Sequence, residues 1–316
     1  MAAVTATASA PSDKTPSHLS DRARGENRLG WKLVAPAVVL MLIVTAYPML
    51  QALYLSLFRY RLTTPDDKAF VGLSNYGVIL TDTLFWQDTW NTVFIMLVTV
   101  SVELVVGFAF AMVMHRIVFA RGAVRTSILI PYGIITVVSA FAWQFTFSLN
   151  NGFVNGWFSW LPWLNMDTNW FGHHWTAMFA ICCSEVWKTT PFMALLLLAG
   201  LSQVSEDMLE AAKVDGATWW QRLFKVIVPN MRAAIMVAVL FRALDAFRIF
   251  DNIFIMTKGA QKTASSSFLT YEQVITQFQL GMGSALSVLL FLTVLLIAFV
   301  LVKLFRVDLA SARGEG

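Results

Sequence analysis

Six apolar runs, each long enough to cross a lipid bilayer as a helix, leave this chain few folds to choose from. The first, LVAPAVVLMLIVTAYPMLQALYLSLF, begins near Leu33 and continues to about Phe58. A bilayer core is crossed by about twenty helical residues, and no water inside it is available to satisfy exposed peptide groups. The runs do not alternate in polarity as barrel strands would, so helices are the expected spanning element. Spans are expected near 33–57, 91–114, 124–147, 174–200, 232–256 and 283–304. The fold class is therefore all-α integral membrane. With 57% hydrophobic and 13% charged residues, the chain is too apolar for a soluble domain of this length.

The N-terminal residues 1–28 are rich in Ala, Ser, Thr and Pro, lack apolar periodicity, and read as a disordered tail. The apolar run after it is too long and too far from the start for a secretory signal peptide, so it is expected to remain as the first span. A six-span domain then covers 29–306, with a polar loop at 202–231, and a short tail covers 307–316. Basic residues collect in one set of connections: eleven Lys and Arg lie in residues 1–28, the 115–123 turn, the 201–231 stretch and residues 305–316, against five in the others. Both termini are thus expected on the cytoplasmic side of a multi-pass protein. This asymmetry accounts for the net charge of +4, and nucleic acid is not an expected partner. Cys182 and Cys183, adjacent inside an apolar run, match neither a metal site nor a disulfide framework and read as buried free thiols.

The polar stretch EAAKVDGATWWQRLFKVIVP at 210–229 stands out between two apolar runs. Ser205 is placed to cap a helix with Glu206 and Asp207 in its first turn, and Gly216 suits a left-handed residue that ends it. Thr218 and Gln221 have capping-box spacing, Trp220, Leu223, Phe224 and Ile227 fall on one helical face, and Pro229 halts the run. Two short helices at an angle, the first with small residues Ala211 and Ala212, make a knob able to enter a groove on another protein. Periodicity alone equally allows an amphipathic loop lying on lipid headgroups.

Glu210-Ala211-Ala212, Asp215-Gly216-Ala217 and Pro229 resemble the EAA signature of the membrane-spanning permeases of binding-protein-dependent ABC importers. Val226 and Val228 depart from it only by apolar exchange. VGLSNY at 71–76, Asn91-Thr92, EVWKTTPFMALLLLAGL at 185–201 and RIFDNIFIMTKG at 248–259 extend the resemblance to the carbohydrate branch, of maltose and glycerol-phosphate permease type. Lys258 and Ala260 stand where that branch commonly has a glycine-rich turn. LIPYGIITVVSAFAW at 129–143 and FRALDAFRIFDNI at 241–253 are most similar to trehalose-uptake permeases of the mycobacterial type.

The resemblance implies a type I importer architecture and a place in the bacterial plasma (inner) membrane. It implies one half of a translocation pathway, completed by a second homologous permease, two ATP-binding subunits and an extracytoplasmic sugar-binding protein, with membrane lipid around it. It further implies that Glu210, Ala211, Ala212, Asp215 and Gly216 couple the chain to the ATPase. No cofactor is expected on this chain: it has no GxxxxGK[ST] loop, so ATP and Mg belong to the partner subunits and the chain alone is not an enzyme.

Within the fifth span Arg242, Asp245, Arg248 and Asp251 recur every three residues. Each would cost about 2.5–3.5 kcal/mol alone at the bilayer centre, so none is expected to face lipid. Two readings stand: a self-neutralising ladder, or a partial lining of the sugar pathway by Arg242 and Asp245 near the midplane, with Phe241 and Phe247 offering aromatic faces. Glu185 and Lys188 read as a structural i,i+3 pair, and Glu103 must find a partner across a helix interface. His173 and His174 lack a third ligand, so no metal site is expected. Trp157, Trp160, Trp163, Trp170 and Trp175 read as interfacial anchors. Uptake of another sugar or a polyol, an ion-coupled secondary transporter and a membrane-embedded enzyme are the competing readings.

Overall fold

The computed structural model describes residues 21–117, 120–150, 152–160 and 168–305. The expected tails therefore fall outside the described residues at 1–20 and 307–316, as does Trp163. Residues 21–28, assigned to the tail from their composition, are helical instead. The chain divides into two units, residues 1–51 and residues 52–316. The first holds most of helix α1 (Asp21–Ser56), whose 36 residues include Pro36 and Pro48. At 1.5 Å per residue it is about 54 Å long, well beyond the thickness of a bilayer core.

The second unit opens with a two-stranded antiparallel ladder, β1 (Phe58–Arg59) and β2 (Ala69–Phe70), followed by α2 (Ser74–Thr81). Asn75 fastens this corner by donating to the carbonyls of Ser56 and Phe58 at 2.7 and 3.0 Å. Helix α3 (Thr83–Arg116) starts where the Asp82 carboxylate accepts from Leu84 N–H at 2.9 Å, and it ends on His115 and Arg116, which suit the negative end of the dipole. It packs along α7 (His174–Leu201). Gly107 permits the close approach, since a Cβ there would meet Met193 Cγ at 3.0 Å and the backbone of Ala194 at 3.2 Å.

Between these two, the expected third span is broken. Helix α4 (Arg121–Gly133) and α5 (Thr136–Thr146) meet at 88°. Pro131 and Gly133 supply the cause, one by removing a helical hydrogen bond and the other by weakening the last turn. After α6 (Val154–Trp157) the chain enters α7. It then runs through α8 (Glu206–Val214), α9 (Trp219–Arg222), a π-helical segment Leu223–Ile227 and α10 (Val228–Asn230), and turns by 72° into α11 (Arg232–Ala246). The expected fifth span is likewise interrupted: residues 247–250 leave the helix before α12 (Asp251–Met256). Helix α13 (Ser266–Tyr271), a second π-helical segment Glu272–Thr276 and α14 (Leu280–Phe305) complete the chain. Four described helices are long and apolar enough to cross a membrane, or up to six if each bent pair counts as one span.

Three apolar clusters of described residues carry the second unit, the smallest formed by Ile79, Leu269, Ala285 and Leu286. Of the two larger, one joins Met96, Val100, Met193, Leu197, Met231 and Phe247, and the other joins Ile95, Phe147, Trp170, Ile181 and Ile253. Trp170 therefore departs from its expected role as an anchor. It is buried, donates from Nε1 to Asn155 Oδ1 at 2.7 Å and packs edge-on against Phe147. Trp157, Trp160 and Trp175 are exposed. Cys182 is buried and Cys183 half-buried, and both are free.

Candidate functional site

Two features of the second unit carry chemistry that packing alone does not require. The first is the knob at 205–229. Helix α8 starts at Ser205 with Glu206 and Asp207 in its first turn, but the serine hydroxyl makes no capping bond, contrary to expectation. Its C-terminus closes as the spacing indicated. Gly216 has φ +77°, Gly216 N–H donates to Lys213 O at 3.1 Å, and Ala217 N–H donates to Ala212 O at 2.9 Å. These bonds satisfy carbonyls that the helix end would otherwise orphan. The next helix opens with the capping box: Gln221 N–H donates to Thr218 Oγ1 and Thr218 N–H to Gln221 Oε1, at 3.4 and 2.7 Å.

The apolar stripe expected after it divides. Leu223 and Ile227 are buried in the core, whereas Trp220 and Phe224 are exposed and stack on each other at 5.9 Å. The π-helical winding of 223–227 is the reason, because i→i+5 bonding changes which side chains share a face. Glu210, Ala211, Asp215 and Gly216 lie on the exposed surface, with Ala212 half-buried. Val214 is exposed as well, and the stacked pair Trp220 and Phe224 presents exposed aromatic surface of a kind that marks contact with another macromolecule or with lipid. Pro229 does not stop the helix at once; α10 continues to Asn230 before the 72° bend.

The second feature is a buried charge cluster where α3, α7 and α11 meet. Arg242, 1% exposed, donates from Nε to Glu103 Oε2 at 2.6 Å and from Nη2 to Glu103 Oε1 at 3.0 Å. The same Nη2 reaches Thr189 Oγ1 at 3.0 Å and Glu185 Oε1 at 3.3 Å, and Nη1 pairs with Asp245. Thr189 Oγ1 in turn donates to Glu103 Oε1 at 2.6 Å, and Asn252 Nδ2 donates to Glu185 Oε2 at 2.6 Å. One guanidinium thus gathers carboxylates from three helices, and its planar fork of five N–H donors suits that arrangement.

This geometry corrects four sequence expectations. The ladder does not exist as a continuous helix, because residues 247–250 break it; Arg248 lies exposed beyond the end of α11 and Asp251 opens α12. Glu185 pairs with Arg242 rather than Lys188, whose ammonium lies over the Tyr132 ring at 5.7 Å from its centroid. Phe247, expected beside a solute, is 1% exposed and belongs to the core. Arg242 is likewise sealed inside. Of the residues assigned to a pathway, Phe241 and Asp245 alone face outward, at 56% and, for the Asp245 side chain, 71% exposure. They stand four residues apart on one face of α11. The missed partner of Glu103 is Arg242, 139 residues away in sequence.

Comparison with known proteins places these features. The family described as binding-protein-dependent transport system inner membrane component matches residues 103–307, a range that holds the knob and the whole cluster. The chain is 48% identical over 309 residues to the trehalose transport system permease protein SugA of Mycobacterium tuberculosis, covering 98% of this chain and 96% of that protein. It is 36% identical over 283 residues to the trehalose/maltose transport system permease protein MalF of Thermococcus litoralis, covering 89% and 95%. Its fold matches a chain in the crystal structure of a bacterial ABC transporter involved in import of the acidic polysaccharide alginate. That match has a TM-score of 0.75 at 19% identity and covers 90% of this chain and 99% of the other. The chain therefore belongs to the family of inner membrane components of binding-protein-dependent transport systems.

Proposed function

We propose that this chain forms half of the transmembrane pathway of an ATP-driven sugar importer and that its solute is trehalose. The observation that carries the solute is the 48% identity, across nearly the whole of both chains, to a permease named for trehalose. The other half of the pathway is a second homologous permease. Two ATP-binding subunits, holding ATP and Mg, drive the cycle from the cytoplasm, and a sugar-binding protein delivers solute from outside. Both chain termini lie in the cytoplasm on this reading, in keeping with the excess of Lys and Arg in that set of connections.

The knob is the joint to the ATP-binding subunits. Glu210, Ala211, Ala212, Asp215 and Gly216 form its contact surface, with Trp220 and Phe224 beside them. Movement of the ATPase pair would rock the attached helices between inward-facing and outward-facing states. Toward the solute the chain offers Phe241 and Asp245, an aromatic face for sugar C–H surface and a carboxylate acceptor for hydroxyls. Arg242 and Phe247 take no solute contact, because both are buried.

Uptake of labelled trehalose, maltose, sucrose and a polyol by cells with the gene deleted and restored tests this reading. Selective loss of trehalose uptake, recovered with the gene, is expected. Unchanged trehalose uptake with loss of another sugar would assign that sugar instead. Uptake driven by an ion gradient without ATP would replace an importer with a secondary transporter.

A further inference from the structure

The buried cluster does more than neutralise charge. Helix α11 receives the knob through the 72° bend near Met231, and α7 joins its other end at Leu201, so a displacement of the knob enters the body of the chain through α11 and α7. The side chains that α11 buries are mostly small: Ala238, Ala243 and Ala246 are all within the core. Apolar contact of this kind is non-directional and offers little resistance to sliding or rotation. Arg242 is different, because its contacts are directional and fall on two other helices at once, Glu103 of α3 and Glu185 and Thr189 of α7. A shift of 1–2 Å, typical of helix movements at interfaces, would carry bonds of 2.6 and 3.0 Å past the distance at which they exist. The carboxylates would then be left buried and poorly compensated, which is costly.

We infer that Arg242 is a positioning residue that pins α11 to α3 and α7, so that the knob and these three helices move as one body during transport. The inference rests on the reading of the knob as the ATPase joint. Asp245 shares the same guanidinium, so the outward carboxylate is held in register with the pin. Asn252 extends the network across the break at 247–250 by binding Glu185. The helix can thus be interrupted there without detaching α12 from the moving body.

Arg242→Lys in the complete complex tests the pin, because lysine keeps the charge but replaces the planar fork with a single point of donation. Sugar taken up per ATP hydrolysed is expected to fall about tenfold, the ratio equivalent to losing about one charge-assisted hydrogen bond. Hydrolysis and the amount of assembled complex should stay near wild type. Thr189→Val, which leaves every charge in place, should lower the same ratio by a smaller factor. A purely structural role would reduce assembly, hydrolysis and uptake together at a constant ratio, and that result would overturn the inference.

A second readout does not depend on the solute. Spin labels at Val214 on the knob and Val113 on α3, both exposed, should give one narrow distance in the complex with and without ATP, and a broader distribution in Arg242→Lys. Equal widths in the two proteins, or a wild-type distance that changes with ATP, would refute the pin even if the transported solute proves to be something other than a sugar.

Discussion

Of the three carboxylates that touch the Arg242 guanidinium, Glu103 and Asp245 lie in opposite environments, and their removal should have unequal consequences. Glu103 is fully buried and accepts two bonds from Arg242, at 2.6 and 3.0 Å, and a third from Thr189 at 2.6 Å. Glu103→Ala leaves that arrangement incomplete in a place water does not reach. Breaking a buried pair from one side costs about 3–5 kcal/mol. Asp245 makes one contact to Arg242 through a side chain that is 71% exposed. On the reading that Asp245 faces a water-filled pathway, the pair is water-exposed and contributes about 0–1 kcal/mol, so Asp245→Ala should cost little stability. The expected gap between the two variants is about 3 kcal/mol. Thermal unfolding of the purified complex, followed by tryptophan fluorescence and size-exclusion recovery, would read it. Glu103→Ala should melt well below wild type and Asp245→Ala close to it. Combining Glu103→Leu, Glu185→Leu and Arg242→Met should regain most of the lost stability, because well-packed apolar groups replace buried charge at little cost. Equal destabilisation by Glu103→Ala and Asp245→Ala would refute the division between a sealed cluster and an outward carboxylate.

Gly216→Val should cost about 1–2 kcal/mol through its left-handed backbone alone, because a Cβ at that position would meet nothing within 4 Å. Membrane insertion should survive while uptake falls, and full uptake at normal expression would show that the turn is not needed. Glu210→Lys reverses an exposed charge on α8 and should weaken ATPase attachment and solute-stimulated hydrolysis, measured by co-purification and phosphate release. Wild-type values of both would leave Glu210 as an ordinary surface residue. Asp245→Asn should change the KM for uptake at nearly unchanged melting temperature, and a change in melting temperature without a change in KM would assign Asp245 to structure.

The spans were legible because bilayer crossing demands a length of apolar sequence that few other constraints produce. The knob was legible because its signals are local: Gly216 in the left-handed region and the Thr218–Gln221 box both lie within a few residues of the helix ends they set. What periodicity could not supply was any interaction across distant sequence. Glu103 visibly lacked a partner on its own helix, but its partner is 139 positions away. An unpaired acid in one span and a basic residue in another were the available signal, and the i,i+3 spacing of Arg242 and Asp245 masked it by offering a local answer.

Helix breaks were the second source of error. Reading 232–256 as one straight helix put Phe247 and Arg248 on faces they do not occupy, since the chain leaves the helix after Ala246. Nothing in RALDAFRIFDNI marks that break by composition, as it contains neither Pro nor Gly. The 88° bend after Gly133 had a clear marker in Pro131 and Gly133. A π-helical turn at 223–227 leaves no comparable mark in the sequence, and it moved Trp220 and Phe224 away from the face of Leu223 and Ile227.

The most direct measurement is ATP-dependent accumulation of labelled trehalose in proteoliposomes containing the complete complex, with the binding protein on the outside and ATP within. Saturable accumulation is expected, abolished when ATP or the binding protein is omitted, and uncoupled from hydrolysis by Arg242→Lys. Accumulation that persists without ATP, or steady hydrolysis with no trehalose or other sugar entering in any condition, would contradict the assignment of this chain as the sugar-conducting half of an ATP-driven importer.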